Sequence, residues 1–264
     1  MTTGSPDRVQ AESINPAMPC VVVIPCYDEA RRLNVKAFED YLSDSDHAEI
    51  RFLFVNDGSK DQTLTILERL HSKFPDRVEV LDLQPNRGKA EAVRQGMQKA
   101  ILNGNLTFTG FWDADLATPL EEIKLIQKRL LENQSVDMVF GARVRLLGHD
   151  IHRRLLRHYL GRCFATAASM VLRLHIYDTQ CGAKLFRVNP ALVEALSEPF
   201  QSRWIFDVEL IARFVKIHHG DREVLRHKIF ECPVMKWADV AGSKVTPFDF
   251  FKAFGELVAI YLRY

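Results

Sequence analysis

The chain alternates between runs typical of buried strands and runs with helical periodicity, and this alternation restricts its fold more than any other feature. Strands rich in apolar and β-branched residues are predicted at 20–25, 50–55, 78–83 and 106–112. Helical spacing of apolar residues falls between them, at 33–42, 61–74 and 90–101. This order predicts an α/β fold with a single, mostly parallel sheet flanked by helices.

The second half of the chain continues this architecture less regularly. The predicted elements there are strands at 136–140 and 229–234, helices at 155–174 and 204–217, and a turn running into a short strand at 178–187. Because no repeat or linker interrupts it, one domain over 19–264 is predicted, large enough to bury a full core. Residues 1–18 are polar and lack an apolar segment, so we expect a disordered tail rather than a secretion signal.

Polar clusters lie where four of the predicted strands end, at 25–29, 56–59, 87–89 and 113–115. Ligands of parallel α/β sheets bind at the carboxyl ends of the strands. Four such clusters on one edge are difficult to explain as solvent-facing loops. They predict a nucleotide site at that edge of the sheet.

The run at 111–119 carries two carboxylates, Asp113 and Asp115, directly after an apolar strand. At the end of an extended strand, this spacing puts both on the same side. Carboxylates suit Mg²⁺ or Mn²⁺, which take one or two of them and complete their coordination with phosphate and water. The competing interpretation is that the pair caps the helix that Thr118 and Pro119 introduce. The sequence alone leaves both open.

Composition and charge exclude several classes of protein. The formal net charge of +1 gives no global attraction to nucleic acid. The five cysteines form no Cys-x-x-Cys pair, so neither a zinc site nor a disulfide framework is predicted, and reduced thiols indicate a cytoplasmic protein. No apolar run approaches the ~18 residues of a membrane-spanning helix. A basic cluster at 143–162 suits an anionic ligand, a membrane surface or a solvated helix face.

The order of the motifs resembles glycosyltransferase family 2, which has the GT-A fold, and within it the dolichyl-phosphate and polyprenyl-phosphate glucosyltransferase-like enzymes. The matching motifs stand at 23–29, 55–59, 86–89, 113–119, 178–182, 203–209 and 242–244, across nearly the whole predicted domain. The strings Asp-Leu-Ala-Thr-Pro at 115–119 and Asp-Thr-Gln-Cys-Gly at 178–182 point most narrowly to the glucosyltransferase-like group.

The resemblance implies an enzyme, namely an inverting, metal-dependent glycosyltransferase. It favours transfer of glucose from UDP-glucose, rather than mannose from GDP-mannose, to a polyprenyl or dolichyl-type phosphate. Two alternatives stay open: the same donor chemistry with a soluble hydroxyl acceptor, and a non-catalytic protein that binds a nucleotide sugar. Nucleotidyl transfer fits less well, since no Gly-rich phosphate loop follows the first strand.

The same resemblance implies a set of residues for the donor nucleotide, the first three of them bordering the base. The set is Pro25, Tyr27, Glu29, Asp57, Lys89, Asp113, Ala114, Ser243 and Lys244. Asp57 is expected to hydrogen-bond the base or ribose. Lys89 begins a helix, where backbone N–H groups already favour the anionic diphosphate. Ser243 and Lys244 are expected to form a lid hinged at Gly242.

The catalytic residues that the resemblance implies are Asp115, Asp178, Arg143, Lys184 and Arg203. Asp113 and Asp115 are the expected ligands of Mg²⁺ or Mn²⁺. The three cations are expected to grip the acceptor phosphate. Asp178 is expected to orient those cations, or to act as a base for a hydroxyl acceptor. A phosphate acceptor, with a second pKa near ~6, needs no strong base.

The sequence departs from the family pattern at three points. Asn56 stands where these enzymes usually have the first aspartate of Asp-Asp-Gly-Ser. Ala117 stands where related mannosyltransferases place a metal-binding glutamine, so the metal would rely on Asp113, Asp115, diphosphate and water. Eukaryotic relatives carry a membrane helix, and this sequence has no such run, which leaves the lipid acceptor open.

The segment at 246–264 is unusually apolar and predicts a C-terminal helix. Such a helix can lie in a membrane interface, pack on its own domain or contact a second subunit. We therefore expect a cytoplasmic protein, with peripheral contact to the inner membrane face or a homo-oligomer as the alternatives to internal packing.

Overall fold

The computed structural model describes residues 19–152, 155–240 and 247–264, with side chains except at 155–158 and 247–251. The predicted tail at 1–18 lies outside the described residues. The strands are β1 Cys20–Cys26, β2 Ile50–Asp57, β3 Val78–Leu83, β4 Phe108–Trp112, β5 Met138–Ala142, β6 Asp150–His152, β7 Ala183–Arg187, β8 Ile229–Pro233 and β9 Lys236–Ala238. The helices are α1 Val35–Ser43, α2 Thr63–Lys73, α3 Lys89–Leu102, α4 Glu122–Glu132, α5 Leu155–Leu172, α6 Pro190–Ala195, α7 Phe206–Ile217, α8 Arg222–Lys228 and α9 Pro247–Arg263, with a 3₁₀ turn at Ser45–His47.

A seven-stranded sheet in the order β3-β2-β1-β4-β7-β5-β8 organises the fold. Its strands pair parallel except for β7, which runs antiparallel to both β4 and β5. Strands β6 and β9 form a separate two-stranded parallel pair. The expectation of a single, mostly parallel sheet flanked by helices is confirmed.

Two hydrophobic cores cover the two faces of the sheet. On one face, Val23 and Val55 pack under α3, where Gly96 lets the helix approach closely; a Cβ at Gly96 would lie 2.5 Å from a methyl carbon of Val23. On the other face, the ring of Phe38 in α1 packs edge-on against Phe52 and Phe54 of β2. Burial on both faces explains why the central strands are nearly continuous apolar runs.

The sheet topology brings the polar clusters to one edge. Strands β1, β2 and β4 are parallel, so their carboxyl ends meet there. The antiparallel strand β7 begins at the same edge, with Ala183 opposite Trp112. The turn before β7 therefore enters the site beside the segment that follows β4.

The capping interpretation of the aspartate pair is wrong. Helix α4 begins only at Glu122, and its N-cap residue, Glu121, makes no side-chain capping bond. Asp113 and Asp115 are thus available for another task. Among the described residues, no helix is long and apolar enough to cross a bilayer.

Candidate active site

Asp113 and Asp115 lie on a tight turn that directly follows β4. The backbone N–H of Asp113 donates to the carbonyl of Gly182 (2.9 Å), and Leu116 takes a left-handed conformation with φ of 52°. The Asp115 carboxylate accepts a hydrogen bond from the N–H of Ala117 (3.1 Å). This turn presents both carboxylates to one cavity.

Gly182 leaves the space that the Asp113 side chain occupies. A Cβ built on Gly182 would overlap the carboxylate of Asp113. The glycine of the turn before β7 is therefore a steric requirement for the position of Asp113.

The carboxylate pair has the chemistry of a site for a divalent cation. Burial and the neighbouring charge of Asp113 raise the pKa of Asp115, because two close carboxylates disfavour each other's ionised form. A hard cation relieves this repulsion, and oxygen donors are what Mg²⁺ and Mn²⁺ prefer. No group of three or more acidic, histidine or cysteine ligands occurs among the described residues. The pair therefore fits a cation whose remaining ligands are phosphate and water.

Lys89, the first residue of α3, adds a positive charge to this end of the cavity. Its Nζ lies 2.5 Å from Asp113 Oδ1 and 5.9 Å from the centre of the Phe206 ring. Desolvation opposes the charged form of Lys89, but the charges of Asp113 and Asp207 outweigh it and raise its pKa. Lys89 is thus a cation beside the aspartate pair, as its predicted contact with a diphosphate requires.

Asp57 has a different environment from the one expected. It is 2% exposed, and its carboxylate accepts hydrogen bonds from the N–H groups of Arg87 (2.7 Å) and Gly88 (2.8 Å) and from Asn86 Nδ2 (2.9 Å). In this structure Asp57 holds the loop that precedes Lys89.

The loop after β1 is held against the start of α2. The N–H of Asp28 donates to Ser59 Oγ (3.0 Å), and the N–H of Glu29 donates to Thr63 Oγ1 (2.8 Å). Arg32 lies between two carboxylates, 3.5 Å from Glu29 and 3.7 Å from Asp115. Arg32 was not among the predicted site residues, yet it connects the predicted base-binding loop to the aspartate pair.

Arg143 and Asp178 form a two-pronged ion pair that also lines the cavity. Arg143 Nε and Nη2 lie 2.6 and 2.7 Å from the two Asp178 oxygens. Burial alone would lower the pKa of Arg143, but the charge of Asp178 raises it above its ordinary value. The guanidinium also lies over the Trp237 ring, 5.3 Å from its centre. Asp178 orients Arg143, as predicted, and does not pair with the other two candidate cations.

The turn that carries Asp178 is fixed from behind by Glu231 of β8. The Glu231 carboxylate accepts the N–H groups of Tyr177 (2.7 Å) and Asp178 (2.8 Å). Arg162 of α5 stacks over the Tyr177 ring at 3.7 Å. Trp237 and Tyr177 were not among the predicted site residues, because each lies on a short strand or turn without a pattern of its own. Glu231 lies on a strand that was predicted, but a strand pattern does not show what one side chain contacts.

Lys184 is buried and does not face the cavity. It is 1% exposed, and its Nζ lies 2.6 Å from Asp207 Oδ1 and 2.5 Å from the carbonyl oxygen of Cys181. The rings of Phe111 and Phe140 pack against the same ammonium group. The expectation that Lys184 grips an acceptor phosphate directly is therefore wrong. It holds Asp207, which does line the cavity.

Arg203 lies on an exposed loop that two acidic side chains hold in place. Glu209 of α7 accepts the N–H groups of residue 201 (2.9 Å) and Ser202 (2.8 Å). Glu256 of α9 accepts the Ser202 hydroxyl and the N–H of Trp204 (3.3 Å). The loop thereby presents Arg203 and Trp204 to the cavity.

The aspartate pair, Lys89, the Arg143–Asp178 ion pair and Arg203 share a cavity of about 340 Å³. The charged residues in its lining are Lys89, Asp113, Asp115, Arg143, Arg162, Asp178, Arg203, Asp207 and Asp239. Of the predicted site residues that the structure describes, those outside this lining are Pro25, Tyr27, Glu29, Asp57, Ala114 and Lys184. The Ala114 side chain packs in the core, so its predicted donor contact is not made by that side chain. Ser243, Lys244 and the arginines at 153 and 154 lie outside the described residues.

Comparison with known proteins identifies the family. The protein-family model described as glycosyl transferase family 2 matches residues 21–192 of this chain. The chain belongs to glycosyltransferase family 2. This family 2 glycosyltransferase is 34% identical to the human dolichyl-phosphate beta-glucosyltransferase, over 95% of this chain and 77% of the relative. It is 28% identical to the Saccharomyces cerevisiae protein of the same name, over 92% and 74% of the two chains.

Solved structures share the GT-A fold of this glycosyltransferase at lower identity. Glucosyl-3-phosphoglycerate synthase from Mycobacterium tuberculosis, in complex with UDP, is similar with a TM-score of 0.63 and 16% identity, over 93% of this chain and 79% of that chain. A mannosyltransferase from Pyrobaculum calidifontis, in complex with GDP-Man and Mn²⁺, gives a TM-score of 0.58 and 17% identity, over 92% and 62%.

Proposed function

We propose that this glycosyltransferase transfers glucose from UDP-glucose to a polyprenyl or dolichyl-type phosphate, with inversion at the anomeric carbon. The names of its curated relatives support both the sugar and the acceptor. The observation that carries the proposal is that one cavity holds two groups of charged side chains. Asp113, Asp115 and Lys89 form the first group, and Arg143 and Arg203 form the second.

The group of Asp113, Asp115 and Lys89 fits the donor diphosphate together with Mg²⁺ or Mn²⁺ on the two aspartates. When bound, such a cation stabilises the negative charge that grows on the departing diphosphate. Lys89 adds its own charge beside the pair, and the start of α3 adds N–H groups that favour anions. Solved structures of this fold in complex with UDP, or with GDP-Man and Mn²⁺, support a nucleotide and a divalent cation as ligands of this chain.

The second group, Arg143 and Arg203, fits a phosphate acceptor. Arginine suits two-point contact with phosphate oxygens, and Asp178 fixes the plane of the Arg143 guanidinium. A phosphate oxygen attacks the anomeric carbon, the bond from that carbon to the diphosphate oxygen breaks, and UDP departs. Since a phosphate monoester is largely dianionic at neutral pH, no residue has to remove a proton from it.

A hydroxyl acceptor is less compatible with the residues around Arg143. It would need a general base within reach. Asp178, the predicted candidate, has both oxygens committed to Arg143 and is buried. The engagement of Asp178 therefore favours a phosphate acceptor over a soluble hydroxyl.

The apolar part of the cavity wall favours a lipid as the carrier of that phosphate. Phe164 and Ala165 of α5 and Ala253 of α9 line it, together with the ring of Trp204. A small sugar or acid would leave this apolar surface unfilled, whereas the first isoprene units of a polyprenyl chain would cover it.

The test is turnover of the purified chain with labelled UDP-glucose, GDP-mannose and a short-chain polyprenyl phosphate, with Mg²⁺, Mn²⁺ or EDTA. We expect a β-linked glucosyl phospholipid from UDP-glucose and a divalent cation, and little product from GDP-mannose. Product with a hydroxyl acceptor but not with polyprenyl phosphate would replace the proposed acceptor. UDP-glucose binding with no transfer to any acceptor would favour a nucleotide-sugar-binding protein.

A further inference from the structure

Helix α9 is apolar on two sides, of which the fold uses only one. Ala253, Leu257 and Ile260 are buried against the domain. On the other side, a stripe at helical spacing is exposed, formed by Phe254, Val258, Tyr261 and Leu262. A helix that packs on a domain normally turns polar residues outward. The second apolar stripe is therefore left uncovered by the described part of the domain.

Helix α5 continues this surface. It packs on α9, with the rings of Phe164 and Phe254 in edge contact at 6.0 Å. The described residues that α5 exposes are uncharged and share one face, Tyr159, Cys163, Thr166 and Met170. We call the exposed stripes of α5 and α9 together the outer helix face. An uncharged surface across two adjoining helices marks an interaction site rather than scattered surface residues.

Among their described side chains, α5 and α9 expose more basic than acidic groups. Among the described side chains of the two helices, the only acidic one is Glu256, and it is bonded to the loop at Ser202 and Trp204. Exposed basic side chains lie elsewhere on this part of the chain, Lys252 and Arg263 on α9 and Arg173 just beyond α5. An apolar face on helices that also carry exposed basic side chains is typical of helices that lie in the interface of an anionic bilayer.

The outer helix face adjoins the cavity. The same two helices line the cavity with Phe164, Ala165 and Ala253 on their inner sides. Trp204 lines the cavity and is partly exposed, and its backbone N–H is bonded to Glu256 of α9. Anything that binds to the outer helix face therefore lies close to the cavity that Arg143 and Arg203 line.

We propose that the outer helix face docks this glycosyltransferase on an anionic lipid bilayer, with α5 and α9 in the headgroup region. This proposal rests on the proposed function only for its purpose, which is to bring a membrane-embedded lipid phosphate to the cavity. The apolar stripes enter the boundary between the lipid headgroups and the acyl chains, and the exposed basic side chains contact anionic headgroups. No helix crosses the membrane in this arrangement.

Flotation of the full chain with vesicles tests the docking itself. The vesicles are pure phosphatidylcholine, or phosphatidylcholine with about 30% phosphatidylglycerol. Leu262→Glu places a charge on the outer helix face at a side chain 79% exposed, so folding is unaffected. The matched control, Leu102→Glu, alters a side chain 84% exposed at the far end of α3, on the opposite edge of the sheet.

We expect the wild type and Leu102→Glu to float with the anionic vesicles, and Leu262→Glu to bind at least about tenfold less. Equal flotation of the two variants, or a wild type that stays with neither vesicle, would overturn the proposal. So would a dimer in light scattering that Leu262→Glu converts to a monomer without any vesicle binding, since a second copy would then cover the face.

Turnover separates failure of docking from failure of the proposed function. With a water-soluble short-chain polyprenyl phosphate, Leu262→Glu is expected to match the wild type. With a long-chain acceptor in anionic vesicles, it is expected to lose at least about tenfold. A wild type that binds vesicles but transfers no sugar refutes the proposed function and leaves docking standing. Equal losses of Leu262→Glu on both acceptors contradict the docking proposal.

Discussion

Lys184 and Asp207 form a buried ion pair beneath the cavity, with Nζ and Oδ1 2.6 Å apart and side chains only 1% and 7% exposed. The pair joins β7 to the start of α7, and Asp207 is the member that faces the cavity. Lys184 therefore contributes to the site through Asp207, by keeping a carboxylate in place opposite Lys89.

We predict that Lys184→Met destabilises the fold by about 3–5 kcal/mol, because it leaves the Asp207 charge buried and uncompensated. Urea unfolding of the single variant measures the loss. In the double variant Lys184→Met/Asp207→Asn, much of that stability is expected to return while activity stays low. A single variant as stable as the wild type would show that the pair is not buried as described.

Asp178→Asn is predicted to weaken the acceptor more than the donor. The substitution removes one of the charged oxygens that fix Arg143, so its guanidinium loses its orientation. The KM for polyprenyl phosphate is expected to rise about tenfold or more, with the KM for UDP-glucose changing little.

Asp137→Asn is the matched control for Asp178→Asn. Asp137 is also a buried partner of a cation, 2.6 Å from Lys228, but it lies at the other end of β5. This variant is expected to lose stability without a selective effect on the acceptor. Equal changes in both KM values for Asp178→Asn would argue against a role at the acceptor.

Gly182→Ala is predicted to impair the aspartate pair although it replaces no charged residue. The added methyl group would overlap the Asp113 carboxylate and displace it. Stabilisation of the protein by UDP with Mn²⁺, measured as a shift of Tm, is expected to disappear. Gly104→Ala serves as the control, since a Cβ at that position meets nothing within 4 Å. A normal UDP shift in Gly182→Ala would remove the steric argument.

Glu91 gives a prediction for the dependence of stability on pH. Burial alone would raise its pKa, but hydrogen bonds from Arg94 and Gln95 and the charge of Arg94 outweigh this and lower it. A lowered folded-state pKa stabilises the protein above the unfolded pKa of about 4.3, and this contribution is lost as pH falls through the folded value.

Glu91→Gln should therefore destabilise the protein by about 1–2 kcal/mol at pH 7, and the difference should vanish in acid. Unfolding curves of the wild type and variant at several pH values measure it. Glu68→Gln, at an exposed position of α2, is the control and should have little effect at any pH. A Glu91→Gln deficit that grows in acid would reverse the sign and contradict the argument.

The mostly parallel sheet, and the edge of it at which the candidate site lies, could be predicted from the sequence. Buried parallel strands leave long apolar runs, and their carboxyl ends are marked by polar residues such as Asp113 and Lys89. Strands β6 and β9 could not be predicted, because three residues are too few to show a period. Trp237, which lies on β9 and packs on Arg143, was missed for that reason.

The role of the buried Lys184 was the other failure. A motif indicates that Lys184 and Asp57 belong near the site, but not whether each side chain faces ligand or protein. Lys184 turned out to bind Asp207, and Asp57 to bind the loop at 86–88. Direction depends on packing of segments distant in sequence, which periodicity does not encode. The expected cytoplasmic location stays a prediction.

The most direct test of the central claim is the affinity for UDP of the wild type and of Asp115→Asn, measured by calorimetry with Mn²⁺ and with EDTA. If Asp113 and Asp115 hold the cation that binds the diphosphate, Mn²⁺ should tighten UDP binding by the wild type at least about tenfold, and Asp115→Asn should lose this gain while keeping its Tm. The exposed substitution Asp76→Asn should behave as the wild type. If Asp115→Asn binds UDP with the same affinity and the same dependence on Mn²⁺ as the wild type, the assignment of the aspartate pair is contradicted.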